Sequence, residues 1–363
     1  MRFTFRLLLI TLVLFFGVIG NEVQGQLLDS AGFKKTALPI AFFLPETSFG
    51  FGVSGMGTFR LNGEPTESKT SSIILGASYT LKNQILFFLP YEIYKRNENI
   101  RVKGELGFYK YFYNYNGLGA NSNYADLETY EVIFPRLVFT YSKAVTKKWK
   151  LGIGYKYDNF DITDTKDGGL LETDQPVGYQ GGRKSSITLQ AYTDTRDNTL
   201  STYKGYYIEG ILQRGDDLYF SDFDYFRFEL DMRYFIPVKD NIILGGQFFL
   251  ITSDQNTPFF DLGYGGDSKH ARGYPDRRFI NHNIIASQLE IRYPIFKRIR
   301  GATFISSLLV PDELFSPFAN QANWAVGTGI RVILRPEDRT SIRLDIAKGA
   351  DGYNYYFLVN EAF

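Results

Sequence analysis

Arg272 stands in a stretch where groups capable of chemistry are crowded together. Between Leu250 and His282 lie both histidines of the chain, His270 and His282, with Gly263, Gly265, Gly266, Gly273 and a dense set of aspartates and arginines. Three chemistries compete for such a set. Metal binding needs three or four ligands, and two histidines are too few for a metal cluster. Nucleophilic hydrolysis needs a serine within reach of a histidine base. No serine stands out as that nucleophile, so a barrel-embedded hydrolase is a weak alternative, one that loss of lipid or peptide hydrolysis on changing His270 or His282 would favour. The third chemistry is ion pairing. A planar guanidinium pairs bidentately with a carboxylate. Arg272 is followed by Gly273, which permits unusual backbone angles, and by Tyr274, an amphipathic packer. An arginine at a loop tip normally points to water. These neighbours suit one that turns inward and fastens its loop to a wall.

The loop is held between strands. Period-two alternation runs through about sixteen segments: 37–44, 50–61, 71–81, 85–95, 99–109, 129–142, 149–160, 185–193, 205–214, 225–236, 241–250, 283–293, 299–308, 323–335, 340–348 and 353–363. In 225–236, Phe226, Phe228, Leu230, Met232, Tyr234 and Ile236 share one face, and Arg227, Glu229, Asp231 and Arg233 share the other. No segment carries a helical period over three turns. Strands of about ten residues suit a tilted membrane crossing, and charges along one face of nearly every strand suit a wet lumen. The connections mostly alternate short and long, with Ile251–His282 on the long side, although 45–49 and 82–84 are short there. The expected fold is therefore all-β: a sixteen-stranded antiparallel transmembrane β-barrel with a long extracellular loop folded into the lumen. Side chains alone cannot fill so wide a lumen, and a tucked loop would plug it.

Composition agrees. Tyr (26), Phe (33) and Gly (35) are frequent among 363 residues, a mix that suits lipid-facing strands and aromatic girdles and is also compatible with a soluble all-β protein. The net charge of +1 gives no sign of nucleic acid as a partner. The absence of cysteine excludes disulfides and thiol catalysis. Arg2 and Arg6 precede an apolar run from Leu7 to Ile19, and Val23 and Gly25 precede a cleavage point before Gln26. Residues 1–25 are expected to be a signal peptide, 26–36 a short periplasmic lead and 37–363 the barrel. An uncleaved anchor helix competes with this, but the run is too short to span a bilayer.

Three further motifs have bland explanations. Gly50-Phe51-Gly52-Val53-Ser54-Gly55 fits G-x-G-x-x-G, but no helix pattern follows, so strand glycines that let a barrel bend are favoured over a dinucleotide site. Asp161, Asp164 and Asp167 lack calcium-loop spacing. Asp194, Arg196 and Asp197, in Asp194-Thr195-Arg196-Asp197-Asn198, point to a periplasmic turn with a local ion pair. No cofactor or metal site is implied.

Taken together and in order, these segments resemble the outer-membrane protein assembly and polypeptide-transporting barrels of the BamA/TamA and two-partner-secretion type. Ala271-Arg272-Gly273-Tyr274 is similar to that family's (I/V)-R-G-(F/Y) signature in the sixth extracellular loop. Asp194–Asn198 matches its D-T-R-D-N segment, and Tyr115-Asn116-Gly117-Leu118-Gly119 its aromatic-Gly-x-Gly loop. Its G-x-G-x-R and R-x-D strands are matched by Gly327, Gly329 and Arg331 and by Arg343 and Asp345. Phe363 is the usual barrel ending. The resemblance implies that Arg272 reaches into the lumen and pairs with acidic residues on the twelfth and thirteenth strands. Glu290 sits at the first of these places; Ser306 stands where the second carboxylate is usual, and Glu361 where an apolar residue is usual. The resemblance is to a barrel-only branch, because the lead is too short for polypeptide-transport-associated domains.

What the resemblance implies about function is insertion, assembly or translocation of polypeptides in the outer membrane of a Gram-negative bacterium. Outer-membrane lipids, client polypeptides and periplasmic or outer-membrane assembly partners would be the contacts. A non-gating accessory barrel is the alternative. The family mechanism opens the seam between first and last strands. Pro39, which cannot donate a ladder hydrogen bond, and Phe363 mark that seam here, although Pro39 could equally face outside the ladder.

Overall fold

A computed structural model describes residues 34–44, 48–65, 68–314, 322–336 and 339–363, with side chains from residue 50 onward. The expected signal peptide, and the lead up to residue 33, lie outside the described residues. Eighteen strands follow one another: β1 (Lys34–Leu44), β2 (Ser48–Phe59), β3 (Ser71–Thr80), β4 (Ile85–Lys95), β5 (Ile100–Tyr115), β6 (Glu128–Ala144), β7 (Trp149–Asp164), β8 (Gly181–Asp194), β9 (Gly205–Gly215), β10 (Tyr225–Lys239), β11 (Ile242–Ser253), β12 (Gly263–Gly265), β13 (Phe279–Asn281), β14 (Asn283–Phe296), β15 (Ile299–Leu309), β16 (Asn323–Arg335), β17 (Thr340–Gly349) and β18 (Gly352–Val359). All but β12 and β13 form one antiparallel sheet of 16 strands, each next to its neighbour in the sequence. No pairing between β1 and β18 occurs among the described residues.

The faces of this sheet are inverted relative to a soluble protein. In β17, Leu344 is 52% exposed while Asp345 beside it is 0% exposed. In β10, Phe226, Met232, Tyr234 and Ile236 are exposed, and Arg227 and Asp231 are buried. In β16, Trp324, Val326, Ile330 and Val332 are exposed and Arg331 is buried. Water-solvated sheets place such residues the other way round. A wall whose outer face meets hydrocarbon, and whose inner face holds paired charges, has this pattern.

Several boundaries differ from expectation, each for a local reason. Strand β1 begins at Lys34, inside the expected lead. Strands β5 to β8 run up to six residues beyond their expected ends. The top of β5, Phe108-Tyr109-Lys110-Tyr111-Phe112-Tyr113-Asn114-Tyr115, carries aromatic side chains on both faces and so shows no clear alternation. β12 and β13 make a small hairpin within the long loop, pairing Tyr264 with Ile280. Strand β18 stops at Val359 rather than running to Phe363. Asn360 adopts φ +66°, a conformation asparagine tolerates better than most residues, and the last residues turn toward the charged face. The G-x-G-x-x-G stretch lies wholly within β2.

Among the described residues, three apolar clusters sit on the charged face, and the long loop contributes to two of them. Phe259, Phe260, Leu262 and Ile280 join Tyr115, Tyr130, Phe134 and Phe160. Ala271, Tyr274 and Phe279 join Phe249, Ile284, Leu308 and Ala325. The third holds Phe235, Ile243, Ala362 and Phe363.

Candidate functional site: the loop on the charged face

The loop leaves β11 after Ser253 and enters β14 at Asn283. Its backbone around Arg272 is fixed from three strands. Ser306 of β15 donates its hydroxyl to the Arg272 carbonyl at 2.8 Å. In β18, Tyr356 accepts from the Gly273 N–H at 2.8 Å and Asn354 donates to the Gly273 carbonyl at 2.9 Å. The Tyr274 hydroxyl donates to the Trp324 carbonyl of β16 at 2.9 Å. Gly273 holds φ +120°, and a Cβ there would overlap that of Ala325. Both its angle and its closeness to the wall demand glycine.

So placed, the Arg272 side chain is fully buried. Its Nη1 lies 2.7 Å from Glu290 Oε2 and 3.0 Å from Asp345 Oδ2. Its Nε and Nη2 donate to Gln288 Oε1 at 3.2 and 3.1 Å. The Phe304 ring centroid is 3.5 Å from the guanidinium carbon, a stacking that favours a delocalised cation. The carboxylates are shared. Glu290 also meets Arg292 Nε at 2.6 Å and Arg331 Nη2 at 3.3 Å. Asp345 also meets Arg331 Nη1 at 2.5 Å and Arg343 Nη1 at 3.3 Å. Glu361 accepts from Arg331 Nε at 2.8 Å. Four guanidiniums and three carboxylates thus form one lattice. Buried charges are costly to desolvate, and this geometry offsets the cost only while each keeps its partners.

The expected partner Glu290 is therefore in contact, and the other carboxylate comes from Asp345 rather than from β15. Ser306 has a different role: it holds the loop's backbone. Restoring an acid there as Ser306→Asp should destabilise the protein by about 1–3 kcal/mol, because a buried carboxylate would face the Arg272 carbonyl, acceptor against acceptor. Semi-native gels that follow loss of the folded form on heating would read this, and a rise in heat resistance would refute it.

The other residues singled out in the sequence lie at several places on the sheet. A Cβ at Gly329 would overlap the Asp345 carboxylate, and one at Gly327 would overlap the Phe304 ring, so both glycines make room for the site. Asp194 and Arg196 pair at 2.9 Å in the turn after β8. Asp197 meets Arg339 at 2.8 Å and accepts from the Tyr203 and Lys204 N–H groups. That turn reaches the lattice through the Thr202 carbonyl, which accepts from Arg292 at 3.2 Å. Asn116, in the aromatic-Gly-x-Gly stretch, donates to the Arg278 carbonyl at 2.9 Å, and the Gly119 N–H donates to the Ile280 carbonyl at 2.8 Å. Pro39 lies in β1 opposite Val53. Phe363 lies off the last strand, buried against Phe235, with its carbonyl accepting from Arg292 at 3.1 Å.

Neither histidine joins the lattice. His270 stacks on Phe249 with ring centroids 3.8 Å apart and meets Asp267 at 2.7 Å. Burial alone would lower its pKa, but the Asp267 carboxylate outweighs burial and raises it above 6.5. His282 lies 3.3 Å from the Ser253 hydroxyl, which also reaches the His282 carbonyl, so the pair clasps the ends of β11 and β14. Among the described residues, no group of three or more His, Asp or Glu side chains is placed to hold a metal ion.

An antiparallel sheet with one apolar face, one charged face and a buried loop on the charged face has the pattern of a class, the outer-membrane type of β-barrel protein. Within that class the chain belongs to the Omp85 superfamily, whose domain matches residues 58–361. No curated protein matches the sequence. Among solved structures, BamA from Haemophilus ducreyi lacking POTRA domains 1–3 is similar with a TM-score of 0.60 and 13% identity, over 91% of this chain and 70% of that one. CdiB from Escherichia coli (TM-score 0.61, 11% identity) and CdiB from Acinetobacter baumannii (0.56, 12%) are similar over 91% of this chain. This chain spans 62% and 59% of those two.

Proposed function

We propose that the sheet closes, β1 against β18, into a sixteen-stranded barrel in the outer membrane of a Gram-negative bacterium. The long loop then occupies its lumen with Arg272 as the anchor. The protein takes part in inserting, assembling or translocating polypeptides there, together with partner proteins. Superfamily membership supports the class of activity. One observation carries the mechanism: the loop is bonded directly to the last strand, through Tyr356 and Asn354 on Gly273. Movement of the loop and movement of the β18 edge are thereby joined, as a seam gated from the lumen requires.

Locking the seam tests this. The native chain has no cysteine, so pairs such as Ala41→Cys with Tyr355→Cys, scanned along β1 and β18, add the only thiols. In cells depleted of the native protein, the oxidised pair should abolish assembly or export of the client proteins, and a reductant should restore it. Full activity with the seam covalently shut would overturn the gating reading and leave the non-gating accessory barrel.

A further inference from the structure

The lattice around Arg272, joined on the same side of the sheet by the Arg278–Asp351 pair at 2.6 Å, is not the only place where the loop buries a charge against opposite charge on the wall. Eleven residues before Arg272, Asp261 is largely buried, its side chain 12% exposed, on a different part of the sheet. Its Oδ1 lies 2.9 Å from Lys184 Nζ of β8. Its Oδ2 accepts from Gln213 Nε2 of β9 at 2.7 Å and from the Tyr225 hydroxyl of β10 at 2.9 Å. The wall side is itself braced. Lys184 also meets Asp158 of β7 at 2.9 Å, Asp158 meets Arg136 of β6 at 2.8 Å, and Lys156 donates to Gln213 at 3.2 Å. Burial would raise the Asp261 pKa; Lys184, Arg227 and Lys156 reverse this and hold it at about 2, so the group is a carboxylate at any physiological pH.

We propose that Asp261 is a second anchor of the loop, opposite in charge to Arg272 and independent of it. Apolar contacts reinforce the polar ones. Phe260 stacks on Phe160 at 4.2 Å, extending a column through Phe134 at 4.4 Å and Tyr109 at 5.0 Å. The Phe259 N–H donates to the Val177 carbonyl at 2.9 Å. The arm around Asp261 thus rests on β5 to β10, and the arm around Arg272 on β14 to β18. The strand from which the loop departs, β11, lies between these two sets and packs Phe249 against the Arg272 arm. The opposite polarities fix direction as well as position. A loop that slid or reversed would bring Asp261 toward Glu290 and Asp345, and Arg272 toward Lys184, and like charges in a buried site repel strongly. Breaking one anchor therefore frees one arm and leaves the other seated. The inference rests on the proposed lumenal position of the loop, and it makes loop release a two-step event.

The test uses the full chain, purified and folded into phospholipid vesicles, with one reporter thiol per protein. Leu262→Cys reports on the Asp261 arm and Ala271→Cys on the Arg272 arm, both buried in the native state. Labelling by a hydrophilic maleimide is timed for each. Asp261→Asn should speed labelling at position 262 by about tenfold and leave position 271 protected, while Arg272→Ala should do the reverse. The two together should expose both. Gln213→Leu, which removes a wall donor and keeps every charge, is the companion variant in case Asp261→Asn does not fold; it too should speed labelling at 262 alone. Release of both arms by Arg272→Ala alone, or protection of position 262 in Asp261→Asn and in Gln213→Leu, would overturn the second anchor. Rapid labelling at both positions in protein with native Asp261 and Arg272 would instead overturn the lumenal placement itself.

Discussion

Replacing Arg272 by alanine should cost about 3 kcal/mol, the lower end of what breaking a buried ion pair costs, because the wall it leaves behind stays balanced. Without Arg272, Glu290 keeps Arg292 and Arg331, and Asp345 keeps Arg331 and Arg343. Three guanidiniums then face three carboxylates. The loss falls on the loop, whose tip would have to leave its carbonyl bond to Ser306 or sit over a cavity. Semi-native gels should show the folded form surviving to a lower temperature, and a protease should cut the loop sooner, with the barrel itself still assembled. Arg272→Lys should fall between alanine and the native protein. An ammonium can meet one carboxylate but cannot also bridge to Gln288 and stack on Phe304. Identical heat resistance and identical loop cleavage in Arg272→Ala and the native protein would show that Arg272 anchors nothing.

The strands were legible because the inversion of faces is written residue by residue. Arg343-Leu344-Asp345-Ile346 reads as one wall segment, charge inside and aliphatic outside, without any tertiary information. The tops of β5 to β8 were less legible, since runs such as Tyr111-Phe112-Tyr113 are apolar on both faces. β12 and β13 are three residues long, too short for a period to show. In the site, Arg272 stood out through Gly273 and Tyr274. Its partners were harder to read. Asp345 is 73 positions away, and its meeting with Arg272 depends on the stagger of β14 to β17 and on the depth of the loop, neither of which periodicity encodes. Ser306 looked like a missing acid but serves as a donor to the backbone. Glu361 showed in the sequence only as a polar residue where an apolar one was expected. Its place beside Arg331 and Arg292 needed the bend at Asn360, which also takes Phe363 off the strand. Asp261 carried no mark distinguishing it from other loop acids. The pairing of Lys184 with Asp158 and Asp261 emerges only when two strands and a loop meet.

Glu290→Gln should be the more damaging change, though it replaces a single oxygen with an amide. Glu290 touches three guanidiniums, those of Arg272, Arg292 and Arg331, and all four residues are buried. With the amide in place, four guanidiniums share Asp345 and Glu361, and the amide's own N–H groups point at cations. Removing one partner from a buried ionic set typically costs about 3–5 kcal/mol, and this case belongs at the upper end because two positive charges are left uncompensated. The loss should appear as poor assembly of the whole barrel, not as a loosened loop. The imbalance also predicts a specific rescue. Adding Arg272→Met to Glu290→Gln removes one of the surplus cations and fills its volume, so the double variant should assemble better than Glu290→Gln alone. Residues in one network couple in this non-additive way. If the two substitutions simply add, with the double variant worse than either single one, Arg272 and Glu290 do not share a charge balance, and the lattice is not what seats the loop.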